Sequence, residues 1–354
     1  MNTLRVVAQP ADPPARARVV DIARLAGVST ATVDRVLNQR SGVKPATAQR
    51  VLRVAVELEY LEDGALAMRA TSAPLQVTFL LPSGVNRWMQ MLGDYVERVE
   101  GQMLPFNVKC RCVYVEGFNP ELLAKKLMEH GQRADGIACV ALEHPLVREA
   151  VNQLADKGVY VLTLASDLSN SRRSAYVGLD NRAAGRTAGL LLGRFLGERR
   201  GKVAMIAGSL SYRGHGEREM GFQHILQEVF PHLVLVGLRE GHDDAQSNHE
   251  QARIMLTTHA DLIGIYNIGG GSDGIARALK EARRDQSVVF VGHEVTTDTR
   301  SYLMDGTIDA VISQNPQVEI MNAIRIFANL REGKSALAGI EPVRIGVILK
   351  ENLP

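Results

Sequence analysis

The segment from residue 20 to residue 60 constrains the fold most, because its apolar residues recur at the spacing of three short amphipathic helices. The apolar side of each helix is formed in turn by Ile22, Ala23, Leu25 and Ala26, by Val33, Val36 and Leu37, and by Val51, Ala55 and Leu58. Three such stripes can share one small hydrophobic core. The pattern therefore predicts a compact three-helix unit.

The second predicted helix follows a sharp turn, Gly27-Val28-Ser29. Gly27 has the backbone freedom that a tight turn requires, and the Ser29 hydroxyl can accept a hydrogen bond from a free amide of the next helix. A helix that starts abruptly at Ser29 leaves its first turn free to enter the major groove of DNA. The alternative is a three-helix packing unit that makes no DNA contact.

This segment resembles the helix-turn-helix headpiece of the lac repressor family from Val20 to about Tyr60. The matching residues are Asp21-Ile22-Ala23, Ala26-Gly27-Val28-Ser29, Thr32-Val33, Arg35-Val36-Leu37-Asn38, Val43 and Glu59-Tyr60. We expect a disordered tail over residues 1–18, a DNA-binding domain over 19–62 and a hinge over 63–75. The resemblance implies a homodimer that binds a pseudo-palindromic operator.

The charge distribution supports DNA binding. Residues 1–56 carry nine Lys and Arg against three Asp, whereas the whole chain has a net charge of +2. Thr30 and Ala31 occupy the positions that reach base edges, where small side chains favour thymine methyl groups. The other predicted DNA contacts, to phosphates or for Arg35 to a guanine edge, are Ser29, Thr32, Arg35, Asn38, Lys44 and Arg69.

The hinge is where the chain departs most from the family, whose members follow the tyrosine with a proline and later place a leucine wedge in the minor groove. Here the run from Tyr60 to Arg69 reads YLEDGALAMR, which leaves Leu66 or Met68 as the candidate wedge. Asp34 stands where relatives usually carry a phosphate-binding serine. We therefore expect weak operator bending.

Chain length suits this head followed by a body of two lobes. The sequence has no apolar run near the ~18 residues of a membrane span, and its amino terminus carries Pro and Arg in place of a secretory signal. We expect a cytoplasmic, nucleoid-associated protein with no membrane partner. Cys110, Cys112 and Cys139 are expected to be buried thiols, and neither they nor the histidines have metal-ligand spacing.

Beyond residue 76, short apolar runs alternate with segments of helical period, which predicts an α/β body of parallel sheets flanked by helices. The first series of strand-like runs is VTFLL, VKCRCVYV, GIACVAL and VYVLTLA, and the second is KVAMIAG, LVLVGL, LIGIYNI and VVFVGHE. Seven helices are expected between them, at residues 87–100, 119–131, 145–158, 181–196, 217–230, 243–259 and 273–282. Two series imply two lobes.

Residues 76–354 resemble the periplasmic pentose-binding fold that the same repressors carry. The resemblance is carried by Tyr176-Val177-Gly178-Leu179-Asp180-Asn181, Ala184-Gly185, Arg218-Glu219-Met220-Gly221-Phe222, Val291-Gly292-His293-Glu294 and Ala310-Val311-Ile312-Ser313-Gln314-Asn315-Pro316. It implies crossings between lobes near Asp180, Glu294 and Gln314. The expected lobes are about 76–180 with 296–314, and about 181–295 with 315–354.

Ligands of open parallel sheets bind at the carboxyl ends of the strands, so the polar residues there are candidate effector contacts. Trp88, with Asn86, stands where the family places a ring-stacking aromatic, although a core or dimer-surface tryptophan is the alternative. Arg218 stands where an arginine clamps sugar hydroxyls, with a surface helix arginine as the alternative. Glu294 replaces the usual aspartate, with a hinge salt bridge as the alternative. The remaining candidates are Gln314, Glu143, Asn267, Ser166 and Asp167.

A dinucleotide site is the strongest rival chemistry. Gly269-Gly270-Gly271-Ser272-Asp273-Gly274 fits the pattern G-x-G-x-x-G after a predicted strand, and Glu294 lies twenty residues further on. No catalytic pair accompanies the pattern. We therefore expect no enzyme and no cofactor, but a repressor whose effector is a pentose or related sugar. A corepressed or activating regulator is the other reading.

Overall fold

The structure, a computed structural model, describes residues 18–37, 43, 45–58, 60, 73–99 and 106–354. The described residues fall into two units, those between 18 and 74 together with 106 and 107, and those of 75–99 together with 108–354. Three predicted DNA contacts, Asn38, Lys44 and Arg69, lie outside the described residues, as do nearly all of the expected tail and the hinge positions Leu66 and Met68.

The first unit contains the three predicted helices, α1 (Val19–Ala26), α2 (Thr30–Leu37) and α3 (Pro45–Glu57). Gly27 adopts the left-handed conformation, with φ 63°, and ends α1. The Ser29 Oγ accepts a hydrogen bond from the Thr32 amide at 3.1 Å, as a residue that caps a helix does. The helices share one core, which is formed by Ile22, Ala23, Ala26, Val33, Val36, Ala48, Val51, Leu52, Val54 and Ala55.

The prediction that Leu25 belongs to this core is wrong, because its side chain is 56% exposed. At 3.6 residues per turn, Leu25 lies roughly 100° from the centre of the face that Ile22, Ala23 and Ala26 form.

The second unit is the predicted α/β body. Its elements, in chain order, are β1 (Leu75–Ser83), α4 (Arg87–Arg98), β2 (Val108–Glu116), α5 (Pro120–Gly131), β3 (Gly136–Cys139), α6 (Pro145–Asp156), β4 (Tyr160–Leu164), β5 (Ala175–Val177), α7 (Asn181–Leu196), β6 (Gly201–Ala207), α8 (Arg213–Val229), β7 (Leu233–Glu240), α9 (Ala245–Thr258), β8 (Leu262–Asn267), α10 (Ser272–Glu281), β9 (Val289–His293), α11 (Thr297–Asp305), β10 (Ala310–Ser313), α12 (Pro316–Arg331), β11 (Gly346–Ile348) and a 3₁₀ turn (Lys350–Asn352).

The strands form two sheets, one for each lobe. The first sheet is parallel and has the order β2-β1-β3-β4-β5, and the second has the order β11-β10-β9-β8-β6-β7, with only β11 antiparallel among the described strands. Every residue of β3, β8 and β9 is buried, which is why these strands read as continuous apolar runs in the sequence.

Two of the expected crossings between the lobes are found, near Asp180 and near Gln314, but Glu294 is not a crossing. Its amide donates to the Ile312 carbonyl at 2.8 Å, so the chain stays in the second sheet. In the described body the third crossing is the segment 332–345, which connects α12 to β11.

The expected division into lobes is therefore wrong after residue 295. Strand β10 pairs with β9, so residues 310–313 belong to the second lobe. Helix α12 belongs to the first lobe, because Tyr160 of β4 donates to the Leu330 carbonyl and Gly136 of β3 leaves space for the Phe327 ring. Strand β11 then returns to the second sheet.

The cysteines are free thiols, but only Cys139 is fully buried, whereas Cys110 and Cys112 are half-buried on β2. Burial raises the pKa of the Cys112 thiol to about 11. Within the described residues, no helix combines the length and the apolar character that crossing a membrane requires.

Candidate functional site

A cavity of about 390 Å³ is lined by residues of both lobes, most of them at or just after the carboxyl ends of strands. Parallel strands place their carboxyl ends on one edge of each sheet, which brings distant parts of the chain together there. Six of the predicted effector contacts line this cavity, namely Asn86, Trp88, Ser166, Arg218, Glu294 and Gln314.

Arg218 of α8 contributes a buried cation to the cavity wall, with 6% of the residue exposed. Its Nε donates to Asn181 Oδ1 at 2.7 Å and its Nη1 donates to the Ile268 carbonyl at 2.9 Å. Close packing of α7 on α8 supports this position, because a Cβ at Gly185 would lie 1.9 Å from the Arg218 carbonyl oxygen. The guanidinium is thus fixed by neutral partners, and its charge remains available to a ligand.

Glu294 follows β9 with a left-handed backbone, φ 63°, and is 7% exposed. Its Oε1 accepts from Gln314 Nε2 at 3.0 Å, and its Oε2 accepts from the Gln314 amide at 3.3 Å. Burial raises the pKa of this carboxyl to about 7, against the lowering effects of Arg218 and the Gln314 hydrogen bonds. Glu294 takes part in no salt bridge among the described residues, so the alternative of a hinge ion pair is not what the structure contains.

A second buried acid, Glu319 of α12, was missed in the sequence. It is fully buried, and its Oε1 accepts from the Ala165 amide at 3.1 Å. Burial, followed by the charge of Glu294, raises its pKa well above the usual value. The only signal in the sequence was a glutamate within the apolar run of α12.

Asp243 was also missed, and it connects the two lobes across the cavity. Its Oδ2 accepts from Asn86 Nδ2 at 2.9 Å, and its Oδ1 accepts from the Gly270 amide at 2.6 Å. A second contact between lobes, an ion pair at 3.2 Å, joins Arg87 to Asp298. The structure therefore shows the lobes in contact around the cavity, which is a closed arrangement.

Three residues that line the cavity contain buried polar atoms with no hydrogen-bond partner among the described residues. These atoms are Trp88 Nε1, His293 Nδ1 and Gln314 Oε1. His293 Nε2 is 2.7 Å from the Tyr266 hydroxyl, and burial with the nearby charge of Arg218 lowers the His293 pKa well below its usual value. These three atoms are buried from the cavity as well as from solvent, so in this arrangement of the side chains they do not face a ligand.

The other three predicted contacts do not line the cavity. Glu143 binds the Arg148 guanidinium at 2.8 Å and the Ser169 amide at 3.0 Å. Asp167 is paired with Arg173, as well as accepting from Thr163. The Asn267 amide group donates to the carbonyls of Gly269 and Gly270 and to Ser272 Oγ. The structure places all three in bonds that hold loops in position.

The glycine-rich loop is explained by packing and not by phosphate binding. A Cβ at Gly274 would lie 1.8 Å from the Ala245 carbonyl, so this glycine allows α10 to approach α9. The Gly270 amide already binds the Asp243 carboxylate, and a pyrophosphate at that position would meet this negative charge.

The first unit presents the predicted base-reading residues to solvent. Thr30, Ala31 and Arg35 are exposed on α2, while Thr32 is half-buried and its hydroxyl lies 2.9 Å from Ser29 Oγ. The hydroxyls of Ser29 and Thr32 are thus already used to begin the helix.

Two family models match the chain. Residues 78–335 match the periplasmic binding protein domain, and residues 19–63 match the bacterial regulatory proteins of the lacI family. The HTH-type transcriptional repressor PurR of Vibrio atlanticus is 26% identical over 220 residues, which are 60% of this chain and 61% of that repressor. The sucrose operon repressor of Escherichia coli is 49% identical over 55 residues, 15% of this chain and 17% of that protein. The chain thus matches less than two thirds of the length of these repressors.

Solved structures share the fold of the body. The glucose-galactose binding protein GanP of Geobacillus stearothermophilus has a TM-score of 0.73 at 24% identity, covering 80% of this chain and 100% of that one. A solute binding protein of Burkholderia graminis in complex with D-arabinose has a TM-score of 0.72 at 23% identity, covering 80% and 98%. A putative LacI transcriptional regulator of Bacteroides fragilis has a TM-score of 0.68 at 16% identity, covering 79% and 98%.

Proposed function

The chain belongs to the family of periplasmic binding protein domains and carries a lacI-family DNA-binding region, and from that premise we propose that it is a transcription repressor controlled by a small sugar-like effector. In this proposal residues 19–62 bind operator DNA, residues 63–75 form the hinge, and residues 76–354 bind the effector. The protein acts in the cytoplasm, at the nucleoid, and catalyses no reaction.

The observation that carries the proposal is the presence of both a strong donor and a strong acceptor on residues that line the cavity, the Arg218 guanidinium and the Glu294 carboxyl. Hydroxyl groups both donate and accept, so a polyol satisfies such a mixed set. The cavity volume of about 390 Å³ is that of a small-ligand pocket. Relatives of the same fold bind D-arabinose and, by name, glucose and galactose, which supports a pentose or related sugar.

Operator recognition follows from the exposed face of α2. A homodimer presents Thr30, Ala31 and Arg35 to each half of a pseudo-palindromic site, and Asn38, Lys44 and Arg69 add phosphate contacts. A ligand that prefers closed lobes also prefers the head arrangement that closure permits, and this differential binding couples the two sites. Corepression or activation by the same effector would differ only in the sign of this coupling.

A thermal-shift screen of the full chain against sugars and polyols, paired with selection of operator sequences from random duplexes, tests the proposal. We expect stabilisation by at least one pentose-sized sugar and a selected sequence with two-fold symmetry. Stabilisation by reduced nicotinamide cofactor instead of any sugar, or selected sequences without symmetry, would contradict it.

A further inference from the structure

A basic surface lies at the amino-terminal ends of β1 and β2, away from the ligand cavity at the carboxyl ends. It surrounds a small depression of about 100 Å³, and its cations are Lys109 and Arg111 of β2 and Arg133, which follows α5. We call these three residues the basic edge. Neither the proposed effector site nor the helical head makes use of it.

The geometry of β2 sets the spacing of the basic edge. Strand β2 is at the edge of the first sheet, and its register pairs Lys109 with Gln76 and Arg111 with Thr78 of β1. Residues two apart on a strand project from the same face, about 7 Å from each other. Lys109 and Arg111 thus form a row of exposed charges along an open edge.

Neutral groups hold the Arg111 guanidinium in place. Its Nε donates to Thr78 Oγ1 at 2.8 Å, and its Nη2 lies 3.1 Å from His130 Nδ1. Among the described residues, no salt bridge includes any member of the basic edge. Two carboxylates of this region have other partners, since the Asp135 carboxylate accepts from the Gln76 amide and Glu129 is paired with Lys126.

His130 lies among charges of both signs. Its pKa is lowered first by burial and then by the charge of Arg111, against the raising effect of Glu129, with smaller lowering contributions from Lys126 and Arg133. Arg133 follows the carboxyl end of α5, where a cation stabilises the helix dipole, but that role does not explain two cations in a row on β2.

We propose that the basic edge binds backbone phosphates of DNA that flanks the operator, an inference that rests on the proposed DNA-binding function. A row of exposed cations fits an extended polyanion better than one small anion, because several phosphates can bind at once. Leu75 and Gln76 of β1 directly follow the linker from the DNA-binding region, so this edge is where the covalent connection to that region begins. The contact adds affinity without adding sequence specificity.

The test is the salt dependence of full-chain binding to two duplexes, the operator alone and the operator with long flanks. In the test variant Lys109, Arg111 and Arg133 are each replaced by Gln. In the control, three exposed cations of the second lobe, Arg194, Arg239 and Arg253, are each replaced by Gln, which changes net charge equally. A double variant, Lys109→Gln with Arg133→Gln, retains the Arg111 bonds and guards against misfolding.

We expect the triple variant to bind the long duplex about tenfold more weakly at low salt, with the slope of log affinity on log salt reduced by about 2 to 3. Its affinity for the short duplex should match that of the control, and the double variant should show about two thirds of the change in slope. Equal affinities of the triple variant and the control for the long duplex would overturn the inference.

A small-anion site is the other outcome. If inorganic phosphate stabilises the wild type but not the triple variant, while DNA affinity is unchanged, the basic edge binds a free phosphate-bearing ligand and the DNA contact is wrong. If the wild type binds no selected duplex, the proposed function falls and this inference falls with it. If the wild type binds the operator but the triple variant and the control bind the long duplex equally, this inference is wrong and the proposed function stands.

Discussion

Glu294 accepts both the side-chain and the backbone N–H of Gln314, at 3.0 Å and 3.3 Å, so two predicted effector contacts are bound to each other in the cavity wall. The pairing fixes the Glu294 carboxyl at the point where the chain leaves the second sheet for α12. It leaves Gln314 Oε1 as a buried acceptor without a partner among the described residues.

Removing either charged group of the cavity should weaken effector binding. Arg218→Ala and Glu294→Ala should each cost about 1 to 3 kcal/mol, because each removes charge-assisted hydrogen bonds in a desolvated cleft. Calorimetry with the sugar found by screening measures this, and Glu143→Gln, outside the cavity lining, is the control. Unchanged affinity in both cavity variants would place the effector elsewhere.

Stability should depend on pH through Glu294, whose pKa is raised from 4.5 to about 7 in the folded protein. Between these values the folded state binds more protons than the unfolded state, so the free energy of unfolding falls as pH rises from 4.5 to 7. This group contributes about 3 kcal/mol to that fall. Denaturant titrations at a series of pH values measure the free energy of unfolding of the wild type and of Glu294→Gln. Its fall between pH 4.5 and 7 should be about 3 kcal/mol smaller in Glu294→Gln. An equal fall in both proteins would contradict the prediction.

The Asn86–Asp243 hydrogen bond should stabilise the closed lobes. Asn86→Asp keeps the side-chain oxygen that caps α4, but places a second carboxylate beside Asp243, so effector affinity should fall by about tenfold. Asn119→Asp, at the cap of α5, is the matched control because its side chain also accepts a helix amide. A similar loss of affinity in both variants would indicate a helix effect and not a contact between lobes.

Asp34→Ser should tighten operator binding, because a carboxylate cannot donate a hydrogen bond to phosphate and a serine hydroxyl can.

Leu66→Ala and Met68→Ala should leave the bend angle of the operator nearly unchanged. Gel mobility of circularly permuted operator fragments measures the bend. A sharp kink that disappears in either hinge variant would show that this hinge bends DNA as its relatives do.

The sequence pattern predicted β1 to β4, β6 to β9 and the helices α4 to α10, because buried parallel strands read as apolar runs and amphipathic helices as a 3.6-residue period. It did not predict α11, α12 or the short strands β5, β10 and β11. It did not predict to which sheet β10 belongs or on which lobe α12 packs, since periodicity carries no information about pairing. Asp243 and Glu319 were missed for a related reason. Asp243 bonds to Asn86, 157 residues away, and Glu319 is an acid on the face of α12 that also buries Ile320 and Ala323.

The loops behind the cavity show the same limit. Glu143, Asp167 and Asn267 have the polar character and the position after a strand that a ligand contact needs. Arg148, Arg173 and the carbonyls of the glycine-rich loop bind them instead, and those partners were not visible in the sequence.

The central claim is that a ligand in the cavity sets operator affinity, and the most direct test is operator binding of wild type and Arg218→Ala with and without a sugar found by screening. Fluorescence anisotropy with a labelled operator measures both affinities. We predict a change of about 5- to 150-fold in the wild type and a smaller change in Arg218→Ala at the same sub-saturating sugar concentration, because its effector affinity is lower by about 1 to 3 kcal/mol. An operator affinity that the sugar leaves unchanged, or changes equally in both proteins, would contradict the account.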